Sequence, residues 1–280
     1  MEKPADMNWR QTAGYALLIL PALALGIWAM ARNGVSPSLW GQQIAGWLAF
    51  ALLALPLQRA AGRIPAAAWG LLLLIPLAGT LLGEEAGGAR RWVELSVFHI
   101  NAAMLVLPAL LVVLCRMEYP YPVGLAAAAV LCFQPDLSQL TAFAAAVIPI
   151  LCRRKMKPLF KAGHMLLLAM LVFRCMNIPT ALEPASCSEG ILTMLAEASW
   201  LLHAAGWAAL AAIPAYLMHR FCRQGAAPLL SLSVYYTVSM LFALTGDYPV
   251  PFMGFGFSPI AGYWLALILS QAPAQTAKSR

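Results

Sequence analysis

The chain has 280 residues, of which 62% are hydrophobic and only 10% are charged, and its mean hydropathy is +0.76. Soluble domains carry about 25% charged residues, so this composition excludes an ordinary soluble domain and predicts an all-α polytopic membrane protein. The alternating ten-residue segments of a membrane β-barrel are absent from the sequence. We therefore interpret the distribution of the basic residues behind the net charge of +7 as an indication of membrane topology and not of nucleic-acid binding.

Apolar segments separated by charges, glycine and proline predict about ten transmembrane helices in a single integral membrane domain, residues 1–280. They cover roughly residues 12–31, 42–58, 65–83, 100–115, 120–134, 138–152, 162–178, 190–218, 227–244 and 257–272. Several are shorter than the ~20 residues of a perpendicular span, so their ends should include interfacial residues or lean on neighbouring helices. The first segment is expected to be a span and not a cleaved signal peptide. Residues 273–280 are predicted to form a disordered cytoplasmic tail.

The basic residues predict the orientation. With a cytoplasmic N-terminus, the outer segments hold only Arg32, Arg90, Arg91 and Arg174, and the other 14 of the 18 basic residues lie inside. Cytoplasmic loops of membrane proteins carry the excess of lysine and arginine. Both termini are therefore predicted to be cytoplasmic.

The motif Gln134-Pro135-Asp136 interrupts an apolar stretch on the predicted outer face. Pro135 removes a backbone donor and favours a break between two helices. Asp136 is then placed to cap the next helix, its carboxylate accepting from the first backbone amides. The alternative is a catalytic carboxylate, since an acid within a membrane domain is costly unless it has a function.

Two adjacent arginines, Arg90 and Arg91, lie on the same outer side within the segment GEEAGGARRWVEL. Two interpretations stay open. The pair, beside an interfacial Trp92, grips a phosphate or pyrophosphate group. Otherwise it belongs to an internal ion-pair network with the nearby glutamates Glu84, Glu85 or Glu94.

Two glutamates fall at the start of the predicted eighth helix. Glu189 precedes Glu197 by eight residues, so both are expected to lie on roughly one helix face and to point into one cavity. A glutamate within the membrane is either functional or paired with an arginine.

The segment TGDYPVPFMGFGFSP, residues 245–259, is rich in proline and glycine. Irregular backbone within the membrane is tolerated where it lines a cavity or is buried in protein. We predict a re-entrant or broken-helix element, the alternative being an ordinary loop.

The six cysteines show no metal-like spacing, which gives no support to a zinc site. Cys175 and Cys187 flank a short outer loop, residues 177–189, in an oxidising compartment. A disulfide between them is a prediction, and it would be worth roughly 3 kcal/mol.

Four motifs occur in one order: GARRW at 88–92, QPDL at 134–137, LAE at 195–197 and PVPFMGFG at 249–256. Together they resemble the SEDS family (the FtsW/RodA/SpoVE group), ten-span glycosyltransferases that polymerise the peptidoglycan precursor lipid II. The resemblance implies a multi-pass protein of the bacterial inner membrane that acts in cell division or cell shape. Its implied partners are undecaprenyl-linked lipid II, membrane lipid and a class B penicillin-binding protein, with no role for nucleic acid.

The resemblance also implies a site. Glu189 aligns with the family's proposed catalytic aspartate, and Glu197 with the first glutamate of an E-E pair that follows it. One carboxylate would act as general base, while the arginine pair or a divalent cation neutralises the pyrophosphate. No other cofactor is implied. The substrate-binding residues carried over from the motifs are Arg90, Arg91, Trp92, Asp136, Gly254, Gly256 and Ser258.

The chain departs from the family pattern where Q-P-S-E is replaced by Asn101–Met104, where Ser138 replaces glycine, and where the large outer loop shrinks to residues 177–189. Three hypotheses therefore stay open. The chain is a divergent lipid II polymerase that uses Glu189, a catalytically inactive homologue that acts as scaffold or regulator of a transpeptidase partner, or a transporter of lipid-linked precursor.

Overall fold

The structure is a computed structural model that describes residues 9–83, 85, 87–95, 98–180 and 185–272. The predicted tail, part of the short outer loop and Glu84 lie outside these residues. Over the described ranges the chain is helical almost throughout, which confirms the all-α class. The helices are α1 (Trp9–Leu18), α2 (Leu20–Arg32), α3 (Pro37–Ala61), α4 (Ala66–Gly79), α5 (Ala102–Arg116), α6 (Tyr121–Phe133), α7 (Leu137–Arg153), α8 (Pro158–Met176), α9 (Ile191–Ala198), α10 (Trp200–Gln224), α11 (Ala227–Ala243) and α12 (Ser258–Gln271).

Five helices within the described residues are long and apolar enough to cross a membrane. They are Thr12–Arg32, Pro37–Ala61, Pro158–Met176, Trp200–Gln224 and Ala227–Thr245. The apolar helices between them are shorter. The predicted number of ten spans and the predicted cytoplasmic position of both termini therefore stay predictions.

The centre of the bundle is formed by α5 and α12. Of the 15 residues of α5, 12 are buried, and 11 of the 14 residues of α12 are buried. A helix that is apolar on every side is expected in such a central position. The two helices approach closely at Gly262, where a Cβ atom would collide with the carbonyl oxygen of Met104.

The predicted eighth helix is divided into α9 and α10. Ser199 between them has extended backbone, with φ −171° and ψ 140°. The imidazole of His203 closes the break, because its Nδ1 lies 3.0 Å from the carbonyl oxygen of Leu192 and its Nε2 accepts from Trp207 Nε1 at 3.1 Å. The carbonyl only accepts and the indole only donates, so Nδ1 takes the donor role and Nε2 the acceptor role in these two contacts.

A β-hairpin precedes α5 and was not predicted. Strand β1 (Trp92–Leu95) pairs antiparallel with β2 (Phe98–Asn101), and Trp92 lies opposite Asn101. Four residues per strand give too short an alternation to stand out from apolar helical runs. The helix predicted from residue 100 begins at Ala102, because the Asn101 side chain caps it by accepting from the Met104 amide at 3.0 Å.

Substituting Gly262 should destabilise the central helix pair. We expect Gly262→Ala to lower the free energy of unfolding by about 1–3 kcal/mol, because the backbone of α5 leaves no space for a methyl group. The matched control is Gly163→Ala in α8, where a Cβ would meet nothing within 4 Å. That change should stabilise by about 0.5–1 kcal/mol, since alanine favours helix over glycine. Thermal unfolding in one detergent measures both, and equal effects would contradict the close approach.

Candidate functional site

The start of α7 is organised by Asp136, whose side chain is 2% exposed. Its Oδ1 accepts from the backbone amide of Gln139 at 3.2 Å and from the Ser138 hydroxyl at 2.9 Å. The predicted helix cap is thereby confirmed. Ser138, at the position where the resembled family has glycine, adds a hydrogen bond to the same carboxylate.

The other carboxylate oxygen of Asp136 faces Arg91. Arg91 Nε lies 3.7 Å from Asp136 Oδ2, and the Arg91 side chain is 4% exposed. Its Nη2 donates to the carbonyl oxygen of Pro135 at 3.3 Å, and its guanidinium carbon lies 5.6 Å from the centre of the Tyr248 ring. The arginine motif and the Gln-Pro-Asp motif therefore contact each other directly. A buried charge needs such a partner, since its desolvation otherwise costs several kcal/mol.

Arg90 points to a more open environment. Its Nη2 lies 3.1 Å from Glu85 Oε2, its Nη1 donates to the Leu81 carbonyl at 2.9 Å, and its side chain is 42% exposed. The backbone amide of Arg90 donates to the carbonyl of Gln134 at 3.3 Å. The ion-pair interpretation thus holds for Arg90 with Glu85, while Glu94 has a side chain outside the described part of the structure. Trp92 is half-buried at the start of β1.

Glu189 lies in a tight turn just before α9. Its amide donates to the Ala185 carbonyl at 2.9 Å, and its Oε2 accepts from the Ala185 amide at 2.9 Å. Burial raises the pKa of the Glu189 carboxyl above its ordinary value, against the opposing effects of hydrogen bonds and of the nearby Arg91 charge. A glutamate with a raised pKa near an arginine is a reasonable candidate for a general base.

Glu197 does not join this site in the structure. Glu189 precedes the helix, which begins at Ile191, so the predicted shared helix face is wrong. Glu197 is exposed near the end of α9, and no described residue forms a hydrogen bond or ion pair with its carboxylate. A catalytic role for either glutamate stays a prediction.

The segment before α12, residues 245–257, is irregular and its middle is buried, while its nature as a re-entrant or broken-helix element stays a prediction. We call it the Pro/Gly loop. It holds the Glu189 turn through the backbone: the Phe255 amide donates to the Cys187 carbonyl at 2.8 Å, and the Val250 amide donates to the Ser188 carbonyl at 3.4 Å. At Gly254 a Cβ would come within 2.9 Å of the Ser188 carbonyl oxygen, so only glycine allows this approach.

Three positions in the Pro/Gly loop have positive φ: Gly246, Phe252 and Gly256. Gly256 has φ +106°, which suits glycine, and Phe252 has φ +67°, which is strained for a bulky residue. Phe252 is held by its burial between the rings of Tyr236 and Tyr263, at centroid distances of 5.3 and 5.6 Å. Aromatic packing therefore stabilises the strained turn.

Ser258, predicted to bind substrate, contacts protein in the structure. Its hydroxyl accepts from the Asn101 amide at 3.0 Å and is buried, so it ties the start of α12 to the start of α5. Substrate binding by Gly254, Gly256 and Ser258 stays a prediction.

Gln43 and Tyr248 lie at the site and were not predicted from the sequence. Gln43 on α3 is fully buried and its side-chain amide donates to the carbonyls of Gly254 and Met253. A glutamine at the beginning of an apolar helix was the available signal, because buried polar groups in a membrane need partners. The ring of Tyr248, which lies against Arg91, had no signal beyond its place in the Pro/Gly loop.

Cys175 and Cys187 are free thiols in the structure, the first buried and the second half-buried. A disulfide between them stays a prediction. Among the described residues, no group of three His, Cys, Asp or Glu side chains could hold a metal ion, so none is available for the divalent cation considered above.

The buried ion pair should dominate the stability of this region. We expect Asp136→Asn to lower the free energy of unfolding by about 3 kcal/mol, because asparagine still caps α7 but leaves the Arg91 charge unpaired. In Arg91→Met/Asp136→Asn much of this loss should be recovered. The control Glu85→Gln breaks only the exposed pair and should cost under about 1 kcal/mol. Unfolding by heat in detergent measures all three, and similar losses for Asp136→Asn and Glu85→Gln would argue against a buried pair.

No protein-family model matches the chain, and no curated protein matches it. Solved structures do. A crystal structure of the Thermus thermophilus rod shape determining protein RodA and one of its mutant each align with TM-score 0.65 over 92% of this chain and 95% of that chain, at 19% and 21% identity. A chain of a peptidoglycan synthase complex that couples polymerization and crosslinking aligns with TM-score 0.65 over 96% of this chain and 97% of its own, at 18% identity. Since identities this low establish the fold and no more, the chain has the fold of the SEDS proteins that its four motifs resemble.

Proposed function

We propose that this protein acts in peptidoglycan synthesis at the bacterial inner membrane, as a divergent polymerase of lipid II. One observation carries the proposal. On a RodA-like fold, the half-buried Glu189 lies in a turn that the Pro/Gly loop holds by backbone hydrogen bonds, and the Arg91 charge opposes the rise in its pKa that burial causes. In the resembled family the corresponding residue is the proposed catalytic aspartate.

The reaction proposed for the site joins two lipid-linked sugars. The 4-hydroxyl of the acceptor attacks the anomeric carbon of the donor, Glu189 accepts the hydroxyl proton, and the bond from that carbon to the lipid pyrophosphate breaks. A raised pKa makes the carboxylate a stronger base, and matching the pKa to the working pH favours proton transfer.

The two arginines take different parts in this proposal. Arg90 is accessible, and its exposed pair with Glu85 is weak enough for a pyrophosphate to replace the carboxylate. Arg91 is buried against Asp136 and is a positioning residue, whose charge also keeps the Glu189 pKa from rising further.

The similar chain from a peptidoglycan synthase complex supports a further part of the proposal, a class B penicillin-binding protein as partner. One observation favours the alternative of an inactive scaffold. The Glu189 carboxylate accepts from the amide of Ala185 and so closes its own turn, a structural use that requires no catalysis.

Replacing the proposed base should abolish polymerisation. We expect Glu189→Gln to lower the rate by at least about 100-fold, because a general base commonly contributes that much. The measurement is polymerisation of lipid II by the purified protein in detergent, with and without reductant and the transpeptidase partner.

The control is Glu118→Gln, an exposed glutamate in the loop between α5 and α6, which should leave the rate unchanged. Glu197→Gln tests the role that the motif alignment implies for Glu197. Because its side chain is exposed and apart from the site, we expect this change to leave the rate nearly unchanged. Wild-type protein that binds lipid II but forms no polymer under any condition would favour the scaffold over the enzyme.

The pH dependence should report the environment of Glu189. Since burial raises its pKa above 4.5, activity should fall on the acid side at a higher pH than for an ordinary glutamate. Arg91→Gln removes a charge that lowers this pKa, so the acid limb should move to still higher pH, whereas Arg90→Gln should leave the limb in place. Polymerisation rates between pH 4.5 and 8 measure this, and an acid limb unmoved by Arg91→Gln would exclude the electrostatic role.

A further inference from the structure

Helix α3 is held in the bundle by two buried glutamines. Only four of its 25 residues are buried, namely Gln43, Ala54, Gln58 and Ala61. A polar side chain inside a membrane domain is costly unless it has a partner or a function. Each glutamine donates to a backbone carbonyl near one end of α12. Gln58 Nε2 donates to Gln271 at 2.9 Å, at the end of α12, and Gln43 Nε2 donates to Gly254 in the Pro/Gly loop before α12 begins.

The carbonyl groups that Gln43 contacts are buried in protein. Met253 and Gly254 are both buried, and a Cβ atom on Gly26 of α2 would collide with the Met253 carbonyl oxygen. Buried backbone carbonyls need a donor. Of the described side chains, that of Gln43 alone donates to these two carbonyls, to Gly254 and, at 3.4 Å, to Met253.

The other end of the Gln43 amide has no such use. Its Oε1 is buried and accepts no hydrogen bond from the described residues. An unpaired buried acceptor costs free energy. The contribution of this side chain therefore lies in the hydrogen bonds that it donates to the Pro/Gly loop.

These bonds begin a chain of hydrogen-bonded peptide groups. The Gly254 carbonyl, which accepts from Gln43, and the Phe255 N–H belong to one peptide group, and that N–H donates to the Cys187 carbonyl at 2.8 Å. The Cys187 carbonyl belongs to a second peptide group, whose N–H donates to the Ala185 carbonyl at 3.0 Å. Hydrogen bonds in such a row polarise and strengthen one another. A continuous path thus leads from α3 to Ala185.

Ala185 in turn holds Glu189 with both of its backbone groups. Its carbonyl accepts from the Glu189 amide at 2.9 Å, and its amide donates to Glu189 Oε2 at 2.9 Å. The position of the carboxylate therefore follows the position of Ala185, at the end of the path that starts at Gln43.

The orientation of the first peptide group depends on its hydrogen bonds. Gly254 precedes Phe255 without a side chain, and Gly256 follows it with φ +106°. Glycine imposes few steric limits on its backbone dihedrals. A peptide group between two such residues is fixed when both its oxygen and its N–H are bonded, and Gln43 supplies the bond to the oxygen.

We propose that Gln43 is a positioning residue for Glu189: it fixes the peptide group between Gly254 and Phe255, and this group holds the turn that presents the carboxylate. The inference rests on the proposed function, in which Glu189 is the general base. Gln43 is fully buried and so does not contact substrate. Its loss should therefore slow the chemical step and leave the binding of lipid II nearly unchanged.

The first measurement does not require activity. It is hydrogen–deuterium exchange of the full-length protein in detergent, read by mass spectrometry over residues 185–191 and 252–258. Gln43→Met keeps the length of the side chain and removes the donor. Both segments should exchange about fivefold faster than in wild type, the effect of losing one ordinary hydrogen bond. Gln43→Asn, whose shorter amide does not reach the loop, gives the same test if Gln43→Met does not fold.

The matched control is Gln58→Met. It removes the same kind of hydrogen bond from the same helix, at the opposite end of α12. Both variants should lower the melting temperature by similar amounts, but Gln58→Met should leave exchange in the two segments unchanged. Unchanged exchange in Gln43→Met, or equal acceleration in the two variants, would overturn the proposal.

The second measurement is the polymerisation of lipid II. In Gln43→Met kcat should fall by about 10- to 100-fold, because a small displacement of a catalytic group costs that much, while KM stays within about twofold. Gln58→Met should keep both values. Faster exchange with an unchanged kcat would also overturn the positioning role. If wild type forms no polymer, the proposed function fails, and exchange alone decides whether Gln43 holds the Glu189 turn.

Discussion

The buried ion pair between Arg91 and Asp136 is the interaction on which this end of the molecule depends. Neither charge is stable in an apolar interior without the other, so the segment before β1 must lie against the start of α7. Asp136 meets this requirement while it also caps α7, which fixes its carboxylate in direction. Asp136 therefore fixes both the start of α7, through the cap, and the contact of α7 with the segment before β1, through the ion pair.

A second connection is made almost entirely by backbone. The Pro/Gly loop accepts no side chain at Gly254 and hydrogen-bonds to the turn at Cys187 and Ser188, while Gln43 holds the loop from α3. The GARRW and QPDL motifs are therefore in contact in space, and the loop that carries PVPFMGFG holds the turn before α9.

The same bundle combines two kinds of helix. Central α5 and α12 are buried on all sides, where even a methyl group at Gly262 has no room. Peripheral α8 is packed loosely, and alanines between it and α7 leave a cavity of about 330 Å³. The tightly packed centre fixes the starts of α5 and α12, while the loosely packed α8 leads into the outer loop that precedes Glu189.

The sequence by itself determined what depends on local chemistry. Composition gave the membrane class, apolar runs gave most helices, proline and aspartate gave the break and cap at Asp136, and glycine with proline gave the irregular Pro/Gly loop. Only the tertiary structure decided which distant groups meet: Asp136 as the partner of Arg91, the separation of Glu189 from Glu197, and the break at Ser199. Those outcomes depend on how helices pack and on which buried polar groups must satisfy one another, and hydropathy along the chain carries no record of either.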